Sequence, residues 1–173
     1  LLDKQTGKVE WQHALEKGEE CNAVALTKKG EILYSYKRGA KLVTWDHQVV
    51  WDYKTPDKTE LQSATLLQNG GVLLGICGIP AQFIELDKKG KEVNKVTLNL
   101  EVERPHSQFR QVFQLRNSNY LIPVMAKQKV LEVSRKGKII AEHQIEGKAF
   151  SSLELPNGNL LLPCGDNHYY IVI

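Results

Sequence analysis

The sequence has no long apolar run, few cysteines and no helical periodicity. None of its hydrophobic stretches approaches the about 20 residues that a membrane-spanning helix needs, so we expect no membrane span. Cys21, Cys77 and Cys164 lie far apart without a C-x-x-C spacing, which argues against a zinc site. We expect buried free thiols, with a pairing of two of them as the alternative. Because no window repeats its apolar residues with a helical period, helical folds are disfavoured.

The sequence also lacks a large excess of either positive or negative charge. The 173 residues carry 23 basic and 20 acidic side chains, a net charge of +3. Many lysines lie in turns such as "TKKG", "DKKG" and "SRKG", where they are solvated, so we predict no nucleic-acid surface. The chain is 42% hydrophobic, which is enough for a sizeable core. It opens on "LLDKQTG" without Met, which leaves open a removed leader or a longer protein.

The sequence contains an internal repeat. Four segments, "TKKGEILYSY", "LQNGGVLLGIC", "LRNSNYLIPVM" and "LPNGNLLLPCG", each place a tight turn before an apolar strand. Their turn positions, Gly30, Gly70, Ser118 and Gly158, give periods of 40, 48 and 40 residues. Three further series of short strands, rich in Val, Ile, Leu, Tyr and Trp, complete each period. Four antiparallel strands in a repeat of about 40 residues predict an all-β fold built from β-propeller blades.

The blades can be delimited along the chain as one domain, 1–173. A partial blade covers residues 1–15, complete blades cover about 21–54, 61–98 and 107–145, and a partial blade covers 149–173. We expect an arc of a larger ring of six to eight blades, since the ends are abrupt. The alternative is a closed four-bladed ring in which residues 8–15 supply the outer strand to the last blade.

One stretch carries a family resemblance. "DKQTGKVEW" resembles the D-x-x-T-G-K-x-x-W repeat of the pyrroloquinoline-quinone-like (quinoprotein-type) β-propeller superfamily. The matching residues are Asp3, Thr6, Gly7, Lys8 and Trp11. Residues 86–93 and 134–140 are similar to partial copies that lack Thr and Trp. The stretches "ERPHSQFRQ" and "NGNLLLPCGDNH" also resemble those of uncharacterised Bacteroides-type secreted propellers of this superfamily. The resemblance implies a structural motif whose Trp packs between blades, and a periplasmic or extracellular location.

The polar stretch "ERPHSQFRQ", residues 103–111, interrupts the apolar strands. It forms the long connection into the third blade and accounts for the 48-residue period. Such connections lead to the central channel, where propellers usually bind ligands. With the equivalent connections it predicts one polar channel mouth. The residues expected there are Glu20, Asn22, Gln62, Ser63, Arg104, His106, Gln108, Arg110, Ser151 and Ser152.

Arg104 and Arg110 favour a site for a carboxylate, phosphate or sulfate, because a guanidinium matches two oxygens. His106 can act as a base or donate a hydrogen bond. The alternative is structural, with Arg110 a strut to backbone carbonyls and His106 a satisfied polar residue. Strand alternation would put Ser107, Phe109 and Gln111 on one side and Gln108, Arg110 and Val112 on the other.

A second polar group, "CGDNH", contains Asp166 and His168. Two ligands without a third make a weak metal site, so a self-satisfied turn is preferred and no metal is predicted.

The sequence therefore predicts a non-catalytic propeller that binds a small ligand or protein through its channel face. One alternative is an enzyme of quinoprotein dehydrogenase or sulfotransferase-like type with a His and Arg centre. The other is a protein-assembly scaffold. These 173 residues lack the calcium-binding carboxylate cluster and adjacent cysteines that the resemblance would require for pyrroloquinoline quinone, so no cofactor is predicted. Pyrroloquinoline quinone with calcium is the alternative, if further blades carry those groups.

Overall fold

A computed structural model describes residues 1–165 and 169–173. Its first four-stranded antiparallel sheet contains β1 (Cys21–Leu26), β2 (Ile32–Tyr36), β3 (Gly39–Val43) and β4 (Val49–Lys54). The second contains β5 (Glu60–Leu66), β6 (Val72–Cys77), β7 (Ala81–Leu86) and β8 (Glu92–Leu98). In both sheets each strand pairs with the next one along the chain, as a propeller blade requires.

The later sheets have shorter first strands. The third contains β9 (Phe113–Gln114), β10 (Tyr120–Val124), β11 (Lys129–Val133) and β12 (Ile139–Gln144). The last contains β13 (Leu153–Glu154), β14 (Leu160–Cys164) and β15 (Tyr169–Val172). Two 3-10 turns, Pro105–Ser107 and Met125–Lys127, are the helical elements of the described residues. In that part of the chain no helix is long and apolar enough to cross a membrane. The all-β prediction with four-stranded antiparallel blades is confirmed.

The turns that revealed the repeat have the backbone the sequence predicts. Gly30, Gly70, Ser118 and Gly158 all have positive φ, at 85°, 83°, 69° and 90°. Glycine adopts this region without steric cost, whereas serine does so at a small cost. Each turn therefore reverses the chain between the first and second strands of a sheet.

The core lies between successive sheets. β6 is buried at all six positions, because the second sheet is covered on both faces. Leu33 and Trp51 of the first sheet pack with Leu74 and Ile84 of the second. On the opposite side, Phe83 lies 5.4 Å from Phe109, measured between ring centroids. Each fully buried side chain of this size contributes about 1.5–3 kcal/mol, so the interfaces between sheets hold the fold together.

Contacts at the outer edge join the N-terminal segment to the first sheet, the first sheet to the second, and the second to the third. Trp11 Nε1 donates to the Trp45 carbonyl at 2.8 Å, in the turn between β3 and β4. Asn94 Nδ2 donates to the Arg135 carbonyl at 3.0 Å, in the corresponding turn of the third sheet. Trp51 covers the corresponding turn of the second sheet, where a Cβ on Gly90 would lie 2.6 Å from Trp51 Cγ. We call Trp11, Trp51 and Asn94 the edge joints.

Residues 1–15 pack on the first sheet. Leu2 and Val9 form a single antiparallel bridge, and Trp11 and Leu15 lie against Ile32, Tyr34, Tyr36 and Val43. In the described part of the chain the last sheet has three strands, and residues 8–15 are not one of them.

Two expectations are corrected by the structure. Cys21 is exposed rather than buried, because it begins the edge strand β1, whereas Cys77 and Cys164 are buried; Cys21 and Cys77 are free thiols. The predicted inner strand through residues 107–112 does not form, because Pro105 begins a 3-10 turn and β9 starts only at Phe113. Consequently Gln108 and Phe109 are both buried instead of lying on opposite sides.

Candidate functional site

A cleft opens between the hairpin that joins β2 to β3, the start of β5 and the connection into the third sheet. Its volume is about 490 Å³. It is lined by Lys37, Arg38, Lys58, Thr59, Glu60, Glu103, Arg104, Pro105 and His106. We call it the cationic cleft, because four Lys or Arg side chains and a histidine face two glutamates.

The Glu60 carboxylate contacts three side chains at the base of this cleft. His106 Nδ1 lies 2.9 Å from Glu60 Oε2, and Lys37 Nζ lies 3.2 Å from Oε1. Gln62 Nε2 donates to Oε2 at 3.3 Å. Burial opposes ionisation of Glu60, but the hydrogen bond to His106 and the Lys37 ammonium outweigh it, so the pKa lies below its ordinary value. Glu60 therefore stays charged, pairs with the Lys37 ammonium and is hydrogen-bonded to the His106 ring.

Arg38 is also partnered. Its Nη2 lies 2.9 Å from Asp57 Oδ1, and its Nη1 donates to the Thr59 carbonyl at 3.1 Å. Lys58 and Arg104 differ from it: within the described residues, neither side chain has a hydrogen bond or ion pair. These two cations of the cleft are thus unneutralised by the protein.

Arg110 lies behind the cleft. Its Nη1 donates to the His106 carbonyl at 2.5 Å and to the Phe109 carbonyl at 3.3 Å. These bonds fold residues 106–110 into a compact turn and present the His106 side chain to the cleft. Of the two roles considered for Arg110, its contacts are those of a strut.

Gln108 is a buried strut. Its Oε1 accepts from the Gly78 N–H at 2.9 Å, and its Nε2 donates to the Gly78 carbonyl at 2.7 Å. This pair ties the third-sheet connection to the hairpin between β6 and β7. Gln108 is 1% exposed and faces the protein rather than the cleft.

The other predicted residues are distributed along the first strands of the sheets. Asn22 Nδ2 donates to the Leu61 carbonyl at 2.7 Å, linking the first two sheets. Ser63 Oγ accepts from the Val112 N–H at 3.0 Å, linking the second and third. Ser151 is half-buried and Ser152 buried just before β13, and neither is among the residues that line the cleft. The structure thus places Arg104 and His106 in the cleft, with Gln62 beside it.

A second, smaller cleft of about 370 Å³ adjoins the first. It is lined by Glu101, Val102, Glu103, Arg104, Ser107, Ala126 and Lys127. Glu103 and Arg104 line both clefts, so Arg104 stands on the ridge between them and can reach into either.

Four residues of the cleft were not predicted from the sequence: Lys37, Arg38, Lys58 and Glu60. The topology of the blade could have identified them. In a four-stranded antiparallel blade, the turn between the second and third strands lies at the same end as the connection to the next blade. The "YKRG" hairpin therefore had to lie on the same face as "ERPHSQFRQ".

The two metal ligands considered from the sequence, Asp166 and His168, lie outside the described residues. Across residues 1–165 and 169–173, no group of three or more His, Cys, Asp or Glu side chains is arranged to hold a metal ion.

Comparison with known proteins gives a family and a fold. One family, described as Mal s 1 allergenic protein-like, matches residues 1–173. A crystal structure of a protein of unknown function from Bacteroides caccae is 40% identical, with a TM-score of 0.93 over 99% of this chain and 63% of that one. No curated protein matches the sequence.

More distant structures share the architecture. A catalytically inactive virginiamycin B lyase from Staphylococcus aureus, crystallised with quinupristin, is 11% identical, with a TM-score of 0.73 over 98% of this chain and 60% of that one. The WD40 propeller of Doa1 is 12% identical, with a TM-score of 0.70 over 88% and 50%. At these identities the similarity shows the fold alone. The chain spans less than two thirds of the length of these structures.

Proposed function

This chain belongs to the Mal s 1 allergenic protein-like family, and from that premise we propose that it is a non-catalytic β-propeller that binds through its cationic cleft. The ligand is an anionic group, a carboxylate, sulfate or phosphate, carried by a small molecule or by a partner protein. We place the protein in the periplasm or outside the cell, as the repeat motif implies.

One observation carries the proposal: Arg104 and Lys58 line the same cleft without a partner in the described structure. The neighbouring cations are already neutralised by Glu60 and Asp57. A guanidinium matches two oxygens of one anion, and an ammonium adds a point charge. The arrangement therefore supports one anion between the two side chains.

The preformed walls favour binding over catalysis. Arg110 and Gln108 hold the His106 turn through backbone carbonyls and Gly78, which limits the ordering that a ligand must supply. His106 is hydrogen-bonded to Glu60, and the hydroxyl group among the described lining residues, that of Thr59, donates to the Pro56 carbonyl instead of to the histidine. The histidine thus shapes the cleft and adds a titratable donor.

The test is titration with sodium sulfate, followed by NMR amide shifts and calorimetry. We expect shifts confined to the lining residues, and affinity reduced about three- to tenfold in Arg104→Gln and in Lys58→Gln, since each removes one charge-assisted contact. Lys95→Gln on the exposed edge of β8 is the control and should bind as the wild type does. Equal affinity in all four proteins, or no binding of sulfate, phosphate or acetate, would refute the proposal.

A further inference from the structure

The most unusual polar contact outside the cleft joins two histidines. His13 Nδ1 lies 3.1 Å from His47 Nδ1. The ring planes differ by 18°, and the centroids are 5.3 Å apart. That separation is close to the nitrogen separation plus the two ring radii, so the rings lie edge to edge with the nitrogens facing. This is the geometry of an N–H···N hydrogen bond, in which one Nδ1 donates its hydrogen to the lone pair of the other.

A metal does not explain the pair. An ion bound to both nitrogens at the about 2.0–2.1 Å of a zinc–nitrogen bond would lie off the line that joins them. Because the two Nδ1 atoms point at each other along that line, both rings would have to turn before they could bind it. A shared proton fits the observed distance without movement.

The position of His47 is itself informative. His47, Gly90 and Gly137 occupy the same place in the β3–β4, β7–β8 and β11–β12 turns, where each N–H bonds to the carbonyl three residues earlier. All three have positive φ, 65°, 79° and 84°. The first turn therefore carries a side chain where the others carry none, in a backbone conformation unfavourable to it. Such strain is retained where the side chain has a role.

Residues on both sides fix the pair. Trp11 stacks near both rings, at interplanar angles of 7° to His13 and 12° to His47. The Tyr34 hydroxyl lies 3.3 Å from His13 Nε2 and occupies its second nitrogen. His13 belongs to the N-terminal segment and His47 to the first sheet, so the hydrogen bond links the two beside the Trp11 edge joint.

We propose that the His13–His47 pair is a pH-sensitive latch that holds residues 1–20 on the first sheet and releases them on acidification. With both rings neutral or one protonated, a single hydrogen lies between the Nδ1 atoms. When both are protonated, two hydrogens and two positive charges face each other at 3.1 Å. The hydrogen bond is then lost and the charges repel. This device is separate from the anion site proposed above.

The neighbouring carboxylates do not neutralise the doubly protonated histidine pair, because each already has another partner. The titratable and charged groups around it are Tyr34, Tyr36, Lys41, Asp46, Glu16 and Glu19, with Asp52 beyond Lys41. Lys41 is buried, and its Nζ lies 3.1 Å from Glu16 Oε1 and 3.6 Å from Glu19 Oε1. Both carboxylates are therefore already paired with Lys41. Asp46 accepts from Thr44.

The pKa of His13 has the expected direction. Burial first, and then the charges of His47 and Lys41, lower it below 6.5. A group with a lowered pKa stabilises the closed form above 6.5, and that stabilisation is lost as the pH falls through the lowered value. Because the released form binds one more proton, the closed-to-open ratio falls tenfold per pH unit in this window.

The test is hydrogen exchange of the whole chain, followed by mass spectrometry at about pH 5 and about pH 7.5, which bracket the histidine range. We expect the protection factors of residues 1–20 to fall on acidification, approaching tenfold per unit, while those of β6 stay constant. His47→Gly restores the glycine of the other turns and should fold, with protection that no longer depends on pH in this range. His143→Gln, at an exposed histidine on β12, should keep the wild-type dependence.

NMR titration of the imidazoles provides the second measurement. The latch requires two steps for the pair, one of them below 6.5, and a normal single step for His13 in His47→Gly. Equal pH dependence of protection in wild type and His47→Gly, or two independent titrations near 6.5, would overturn the proposal.

Discussion

The Arg135 guanidinium of the third sheet holds both carboxylate oxygens of Glu85 in the second, at 2.8 Å from Nε and 2.5 Å from Nη2. Glu85 is 1% exposed, whereas about half of the Arg135 side chain is in solvent. The Tyr120 hydroxyl donates to the same carboxylate at 2.8 Å. Burial first, and then this hydrogen bond, raise the pKa of Tyr120 to about 12. The second and third sheets are thus joined by a buried charge with several donors.

Removing the arginine should be costly. Arg135→Gln leaves the buried Glu85 carboxylate without its counter-charge, and we expect a loss of about 2–3 kcal/mol in the free energy of unfolding. Urea unfolding at neutral pH measures it, with Lys136→Gln, at the exposed neighbour, as the control. A loss no larger than that of the control would show that water replaces the guanidinium fully.

Cys21 and Cys77 should differ in how fast they react with an alkylating reagent. Cys77 is fully buried, and burial raises its pKa to about 12 against a hydrogen bond to the Phe109 carbonyl, so almost no thiolate forms at pH 8. Cys21 is exposed, and its pKa is raised by burial of part of the side chain. We expect iodoacetamide to label Cys21 first, in the native protein, and Cys77 only after unfolding. Peptide mass spectrometry checks this order, and Cys21→Ser should remove the early label. Rapid native labelling of Cys77 would contradict the packing described.

Gln108 should matter for stability more than for binding. Gln108→Leu leaves the Gly78 N–H and carbonyl without their side-chain partner, and we expect a loss of about 2–3 kcal/mol. Gln111→Leu is the matched control, since Gln111 makes no side-chain hydrogen bond in the described structure and is only half-buried. Thermal unfolding compares the two. If both variants melt together, Gln108 is not the strut that its contacts indicate.

The repeat was readable from sequence because turn chemistry and apolar strands recur with it. Gly30, Gly70, Ser118 and Gly158 needed only local rules, and they fixed the four-stranded sheets. The connection around His106 was harder, since Pro105 diverts the chain into a 3-10 turn and the hydrogen bonds of Gln108 come from a distant hairpin.

The candidate site was predicted in part. Arg104 and His106 stood out because they lie in an unusually polar stretch. Lys58 and Glu60 lie at the start of the second sheet, and whether they come close to Arg104 and His106 depends on how two blades pack. Arg110 illustrates the limit: its residue type suggests a ligand, whereas its contacts are backbone carbonyls of its own turn. The quinone-specific part of the family resemblance stays a prediction.

The edge joints connect successive units of the fold in chain order, so each unit influences the stability of its immediate neighbours most. Trp51 and Asn94 each tie one sheet to the next, and Trp11 ties the N-terminal segment to the first sheet, so a perturbation at one joint acts first on the two units that it connects. We therefore expect the effect of a substitution at one joint to weaken with each further sheet that separates a residue from it.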